Sequence, residues 1–146
     1  MLKILQADGG QIPLDFDKYF IQEETNGEDQ IGFTLPLDHA DYKLLTEEVQ
    51  LLDAEDGQVY RITAIDEGAA TANIKGKLEL SPLRADMRIP YTNGSDTLAG
   101  TVEGVLPAGW TVVDHSLSTI RRTIDLDSAT PEDVILGAAS AFGGLA

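Results

Sequence analysis

Residues able to move protons, attack a carbonyl or hold a metal are scattered along this chain rather than grouped. Its two histidines, His39 and His115, stand alone. Neither has a second histidine at H-x-H or H-x-x-x-H spacing, so both read as surface or loop residues rather than metal ligands. Asp53-Ala54-Glu55-Asp56-Gly57 has the oxygen-rich look of a calcium loop. Its glycine comes too early and no acid occupies the bidentate closing position. A turn of solvated acids between two strands is expected there, with room for no more than weak divalent binding. Asp15 and Asp17, Glu23 and Glu24, and Glu47 and Glu48 are carboxylate pairs among a total of 25 acids. General acid–base work needs an apolar pocket to drive two carboxyl pKa values apart, and nothing in these neighbourhoods supplies one. No G-x-S-x-G elbow, phosphate loop or dinucleotide glycine fingerprint occurs, and the serines from Ser81 to Ser140 have no base at motif spacing. Arg84, Arg88 and Tyr91 form a basic, aromatic stretch, and Arg121-Arg122 a basic pair. Either could meet an acidic partner, or serve local salt links. The sequence therefore assigns no catalytic residue, no cofactor-binding residue and no metal ligand, and no peptidase or glycosidase activity is expected.

The elements that would position such residues belong to a folded chain of 146 residues with 42% hydrophobic and 24% charged side chains. Lys+Arg number 10 against 25 Asp+Glu, a net charge of −15, so nucleic-acid phosphates and anionic membranes are repelled by the chain as a whole. Cysteine is absent, which removes disulfides, thiolate nucleophiles and Cys-ligated zinc. The opening MLKILQADGG has too short an apolar run for a signal peptide. Charged residues or glycine break every stretch before it approaches the ~18 apolar residues of a membrane span, so no membrane insertion is expected.

Residues 1–80 read as β. Leu2 to Ala7, Asp8-Gly9-Gly10 and Gln11-Ile12 make a small hairpin. Asn26-Gly27 sits between two runs rich in aromatic and β-branched residues, a hairpin signal, and Pro36 closes the second run. A helical turn is expected near Ala40 to Leu45, then an extended segment from Val49 to Leu52. Gln58 to Ile65 alternates as a half-buried strand, and Thr71 to Leu80 carries Ala72, Ile74, Leu78 and Leu80 in phase across Gly76. Short strands with tight turns suggest a small barrel or curled sheet.

Composition changes at Ser81-Pro82, so residues 81–146 form a second part. Pro82 to Asp96 reads as a loop. Ser95 or Asp96 is the expected cap of a helix bearing Leu98, Val102, Val105 and Leu106 on one face, stopped by Pro107 and Gly109. Trp110 to Val113 is expected as a strand that packs the indole on that helix, and Ile120 to Leu126 as another strand. Thr130-Pro131-Glu132-Asp133 is a strong helix start, and Gly143-Gly144 a stop. The second part thus reads helix, strand, strand, helix, with its continuation missing, and the whole chain as α+β.

Taken in order, "IGFTLP", "GQVYRITAID", "TANIKGKLEL", "SDTLAGTVEGVLPAGWTVV" and "RRTIDLDSATPEDVI" resemble the N-terminal region of phage tail-tip proteins of the prophage endopeptidase tail family. The part from Thr97 to Val113, with the capped helix from Pro131, carries most of the likeness. The resemblance implies a barrel-like baseplate-hub domain over 1–80 and a second hub domain over 81–146. It implies a homotrimeric ring closing the tail tube, with the distal tail protein and tube proteins as partners and with lytic or receptor-binding modules attached downstream. It places the protein at the virion tail tip after synthesis in the host bacterial cytoplasm. The alternative is a free-standing acidic binding or hydrolase-accessory domain that holds a cation or a cationic partner.

Overall fold

In the computed structural model, residues 1–16, 18–24, 27–84, 89–113 and 120–143 are described. The chain folds as two compact units, Met1–Glu79 and Leu80–Ala146. Together they make an α+β protein that is mostly β.

The first unit is one seven-stranded antiparallel sheet. Its strands are β1 (Leu2–Leu5), β2 (Gln11–Pro13), β3 (Tyr19–Gln22), β4 (Gln30–Pro36), β5 (Gln50–Asp53), β6 (Val59–Glu67) and β7 (Thr71–Leu78), in the order β2-β1-β5-β6-β7-β4-β3. A short 3-10 helix, Tyr42–Leu44, precedes β5 at the expected helical turn. The sheet curls. In a flat sheet β3 and β5, four strand spacings apart, would be separated by about 19 Å. Yet the Tyr19 hydroxyl on β3 donates to Asp53 Oδ1 at the end of β5 over 3.0 Å. Curling encloses a core of Leu2, Ile4, Ile31, Phe33, Leu35, Leu51, Tyr60, Ile62 and Ile74, with Leu14 and Leu45 from the connections.

Two local devices keep that inner face apolar. Pairing of β6 with β7 slips between Ile62 and Ala64, leaving Thr63 as the extra residue of a bulge. Tyr60 and Ile62 point inward before the bulge, and Ile65 packs on the same core after it, so a strict alternation through Ile65 does not hold. Gly76 on β7 faces inward, where an added Cβ would lie 2.8 Å from the Arg61 carbonyl oxygen and 3.0 Å from Ile31. That close approach explains why the β7 pattern stays in phase across a glycine. The β3–β4 hairpin exists, with its last pair at Gln22↔Gln30, further from Asn26-Gly27 than a two-residue turn would put it. Thr25 and Asn26 lie outside the described residues.

The second unit differs more from the sequence reading. The segment expected as a loop holds α1 (Ser81–Arg84) and β8 (Ile89–Thr92). Helix α2 (Leu98–Glu103) is capped by Thr97, whose hydroxyl accepts from Gly100 N at 3.1 Å, rather than by Ser95 or Asp96. Asp96 is committed elsewhere, exchanging backbone bonds with Arg122. The helix stops at Gly104, short of Pro107, as two glycines in one turn and a half would dictate. Trp110 to Val113 is not a strand: Trp110 N closes a turn on the Pro107 carbonyl. Strand β9 (Asp125–Ala129) begins later than expected and pairs antiparallel with β8. Helix α3 (Pro131–Phe142) matches its signals, with a Thr130–Asp133 capping box and Gly143 in the left-handed conformation that ends it. Val102, Ile124, Ala138 and Phe142 form this unit's core.

Candidate functional site

Each residue singled out for chemistry has a definite place. His39 is half-buried and spends both ring nitrogens on backbone: Nδ1 accepts from Asp41 N at 3.1 Å, and Nε2 lies 3.0 Å from the Asp15 carbonyl. An N–H aimed at Nδ1 puts the ring proton on Nε2. The imidazole is thus a local brace, with no nitrogen left for a serine or a metal. His115 lies outside the described residues, as do Asp17 and Arg88.

The acids separate into structural and solvated groups. Asp53 was expected in solvent and is instead 3% exposed. Its Oδ1 accepts from the Tyr19 hydroxyl and from Glu55 N at 3.0 Å, and the Met1 amino group stands 3.9 Å away. The signal for this was Tyr19 at an inward position of an edge strand, which only the curl of the sheet turns into a contact. Glu55 and Asp56 are exposed, as expected of the turn, with Asp56 Oδ1 accepting from Gln58 N at 2.8 Å. Glu24 accepts from Gln30 Nε2 at 3.0 Å, while Asp29 Oδ1 caps Glu24 N at 2.9 Å. Glu48 pairs with Arg61 at 2.9 Å, and Arg61 also pairs with Glu79. Asp15, Glu23 and Glu47 are exposed. Among the described residues no three His, Asp or Glu side chains converge to hold a metal ion.

These acids set the local electrostatics. The β3–β4 and β5–β6 loops leave the same end of the sheet, since Gln30 and Arg61 both pair with Lys77, and Arg61 pairs in turn with Gln50. Tyr60 is 1% exposed beneath that end. Burial, followed by the charges of Asp56, Asp29, Asp53 and Glu23, pushes its phenol up to about 12. Burial and the bond to Asp53 likewise raise Tyr19 to about 12. Tyr42 is raised mainly by its hydrogen bond to Glu67. Tyr42 and Glu67 also line an open groove of about 600 Å³ with Lys43, Leu45, Thr46, Glu47 and Ile65, a feature that no sequence motif signals.

In the second unit the basic residues make local links. Arg84 grips Glu132 of α3 in a fork, at 2.7 Å through Nε and 2.9 Å through Nη2. Arg121 bonds the Ser95 carbonyl at 3.0 Å and lies 3.8 Å from Asp96. Tyr91 donates to the Thr101 carbonyl at 2.7 Å, and Asn93 joins Thr101 Oγ1 to Ile124 N, fixing β8 to α2 and to the approach to β9. Trp110 is only half-buried and stands apart from the residues packed on the second core, where Val112 is found instead. The expected indole packing on α2 is not what the structure holds.

The model of the prophage endopeptidase tail N-terminal domain matches residues 3–77, just over half of the chain. The chain belongs to this family of phage tail-associated proteins. No curated protein matches the sequence. The matched span runs from β1 to β7, and so takes in the whole sheet.

Proposed function

We propose that this protein is a structural component of a phage or prophage tail tip, a hub-like module that joins downstream lytic or receptor-binding segments to the tail tube. The reading rests on the family match across the curled sheet. It is supported by the way chemistry-bearing side chains are spent: His39, Asp53, Arg61 and Arg84 are each bonded to neighbours within their own unit. In this reading the protein has no catalytic activity of its own. It works as copies of the same chain, three to a ring, against the distal tail protein and tube proteins. A ring that passes DNA must not retain it, and a surplus of 15 negative charges per chain repels phosphate without any specific contact.

The same charge opposes assembly at low ionic strength, where the screening length reaches ~30 Å. Light scattering across a salt series tests the reading. The expected result is a shift from monomer towards trimer as salt rises. A tight dimer indifferent to salt would refute it, because a closed two-fold contact does not build a three-fold ring.

A further inference from the structure

Strand β6 is paired on both sides for only part of its length. Before the bulge, Arg61 pairs with Gln50 of β5, Glu48 N donates to the Ile62 carbonyl at 2.9 Å, and Ile62 N donates to the Val49 carbonyl at 2.9 Å. After the bulge nothing pairs with β6 on the β5 side, because the chain ahead of Glu48 holds the 3-10 helix rather than a strand. The β6–β7 hairpin fixes which backbone groups this leaves open. Gly68 N donates to the Thr71 carbonyl at 2.8 Å, and pairs in an antiparallel ladder alternate between bonded and non-bonded, so Asp66 and Ala64 turn their N–H and C=O towards β7. Ile65 and Glu67 turn theirs the other way. Among the described residues, neither the N–H nor the C=O of either has a hydrogen-bond partner on that side.

This open edge borders the groove, with Ile65 and Glu67 on one side and Tyr42, Lys43, Leu45 and Glu47 on the other. Leu45 and Ile65 line it with apolar surface continuous with the first core. Glu47 and Glu67 stand against one ammonium, Lys43, and none of the three is in an ion pair among the described residues. Tyr42 donates to Glu67 as a neutral phenol, which leaves the carboxylate its charge. Open main-chain groups two residues apart, beside an apolar groove of net negative charge, call for an extended backbone that carries apolar and basic side chains. We propose that the edge at residues 65–67 takes such a segment of a partner protein as an added strand, with an apolar residue opposite Ile65 and a basic one opposite Glu67. Every pairing in this sheet is antiparallel, so the segment reads basic, polar, apolar from its N-terminus. Its middle residue lies beside exposed Asp66, on the other face of the strand. A second copy of this chain, at −15, is the poorer match in charge. The proposal goes beyond the ring assembly and stands on the sheet alone.

The test is fluorescence anisotropy of a labelled peptide, Ser-Thr-Lys-Thr-Val-Thr-Ser, titrated with the full 146-residue chain. Saturable binding is expected. Methylating the peptide's valine nitrogen removes the donor aimed at the Ile65 carbonyl and should weaken binding at least about threefold; replacing the peptide's lysine by glutamate should weaken it about tenfold. In the protein, Glu67→Gln keeps an acceptor for the Tyr42 hydroxyl and removes the charge, so a loss of about threefold is expected. Glu23→Gln makes the same change of charge on the β3–β4 loop and should leave binding as it is in wild type. No binding to the wild-type chain, or binding indifferent to N-methylation, would overturn the added strand. Equal losses in Glu67→Gln and Glu23→Gln would overturn this edge as its place. Peptide displaced as the chain self-associates would put a second copy on the edge and overturn the choice of partner.

Discussion

Removing one oxygen from Tyr19 tests how the sheet is held closed. Tyr19→Phe keeps the ring in its place against the core and deletes only the hydroxyl that reaches Asp53 at 3.0 Å and accepts from the Met1 amino group at 3.3 Å. Asp53 is 3% exposed, so water does not readily replace the lost donor. A hydrogen bond to a charged group contributes about 1.5–3 kcal/mol. For a unit of this size, that lowers the melting midpoint by roughly 10 °C, at 4–8 °C per kcal/mol. The sign of the pH dependence follows from the phenols. Tyr19 and Tyr60 are raised from 10 to about 12, so the folded state favours their neutral forms. The stability they add is fully present below pH 10 and is lost as pH rises through 12. Tyr19→Phe removes one of the two, so its deficit against wild type should be constant up to pH 10 and shrink between pH 10 and 12. Circular dichroism melts at half-unit steps from pH 7 to 12 read both effects. A variant that melts within 2 °C of wild type at pH 7, or whose deficit grows above pH 10, would refute the closure argument.

Thr130→Ala should cost the second unit about 1 kcal/mol, up to about 2, because it ends the reciprocal bonds with Asp133 at the start of α3; urea unfolding measures it. Gly76→Ala should cost about 1–3 kcal/mol, since the Arg61 carbonyl opposite is backbone and yields little; a loss below 0.5 kcal/mol would contradict the packing described. Trp110→Ala should cost less than the roughly 3–5 kcal/mol of a fully buried indole, with emission from the native protein between buried and water-exposed limits. Purified protein should leave cell-wall and peptide substrates intact; turnover abolished by Glu55→Gln would favour the hydrolase-accessory alternative.

Legibility in the sequence followed the range of the forces at work. Turns and caps act over three or four residues, so the Asp8-Gly9-Gly10 hairpin and the Thr130 capping box could be read directly. The bulge at Thr63 was hidden because it depends on β7 lying alongside, and an uninterrupted alternation through Ile65 is the simpler pattern. Asp53 looked like one solvated acid among many; its burial depends on a sheet curl that brings together residues 34 positions apart. In the second unit, β8 carries Pro90 and lies among arginines, which masks a strand whose partner β9 comes more than thirty residues later.

On the proposed function this protein is part of the virion. Antibodies raised against residues 1–79 and gold-labelled on particles released from the induced lysogen test this directly. Label is expected to be confined to the tail tip, at one position per particle. Purified particles free of the protein, with all of it left in the soluble lysate, would rule out a place in the tail.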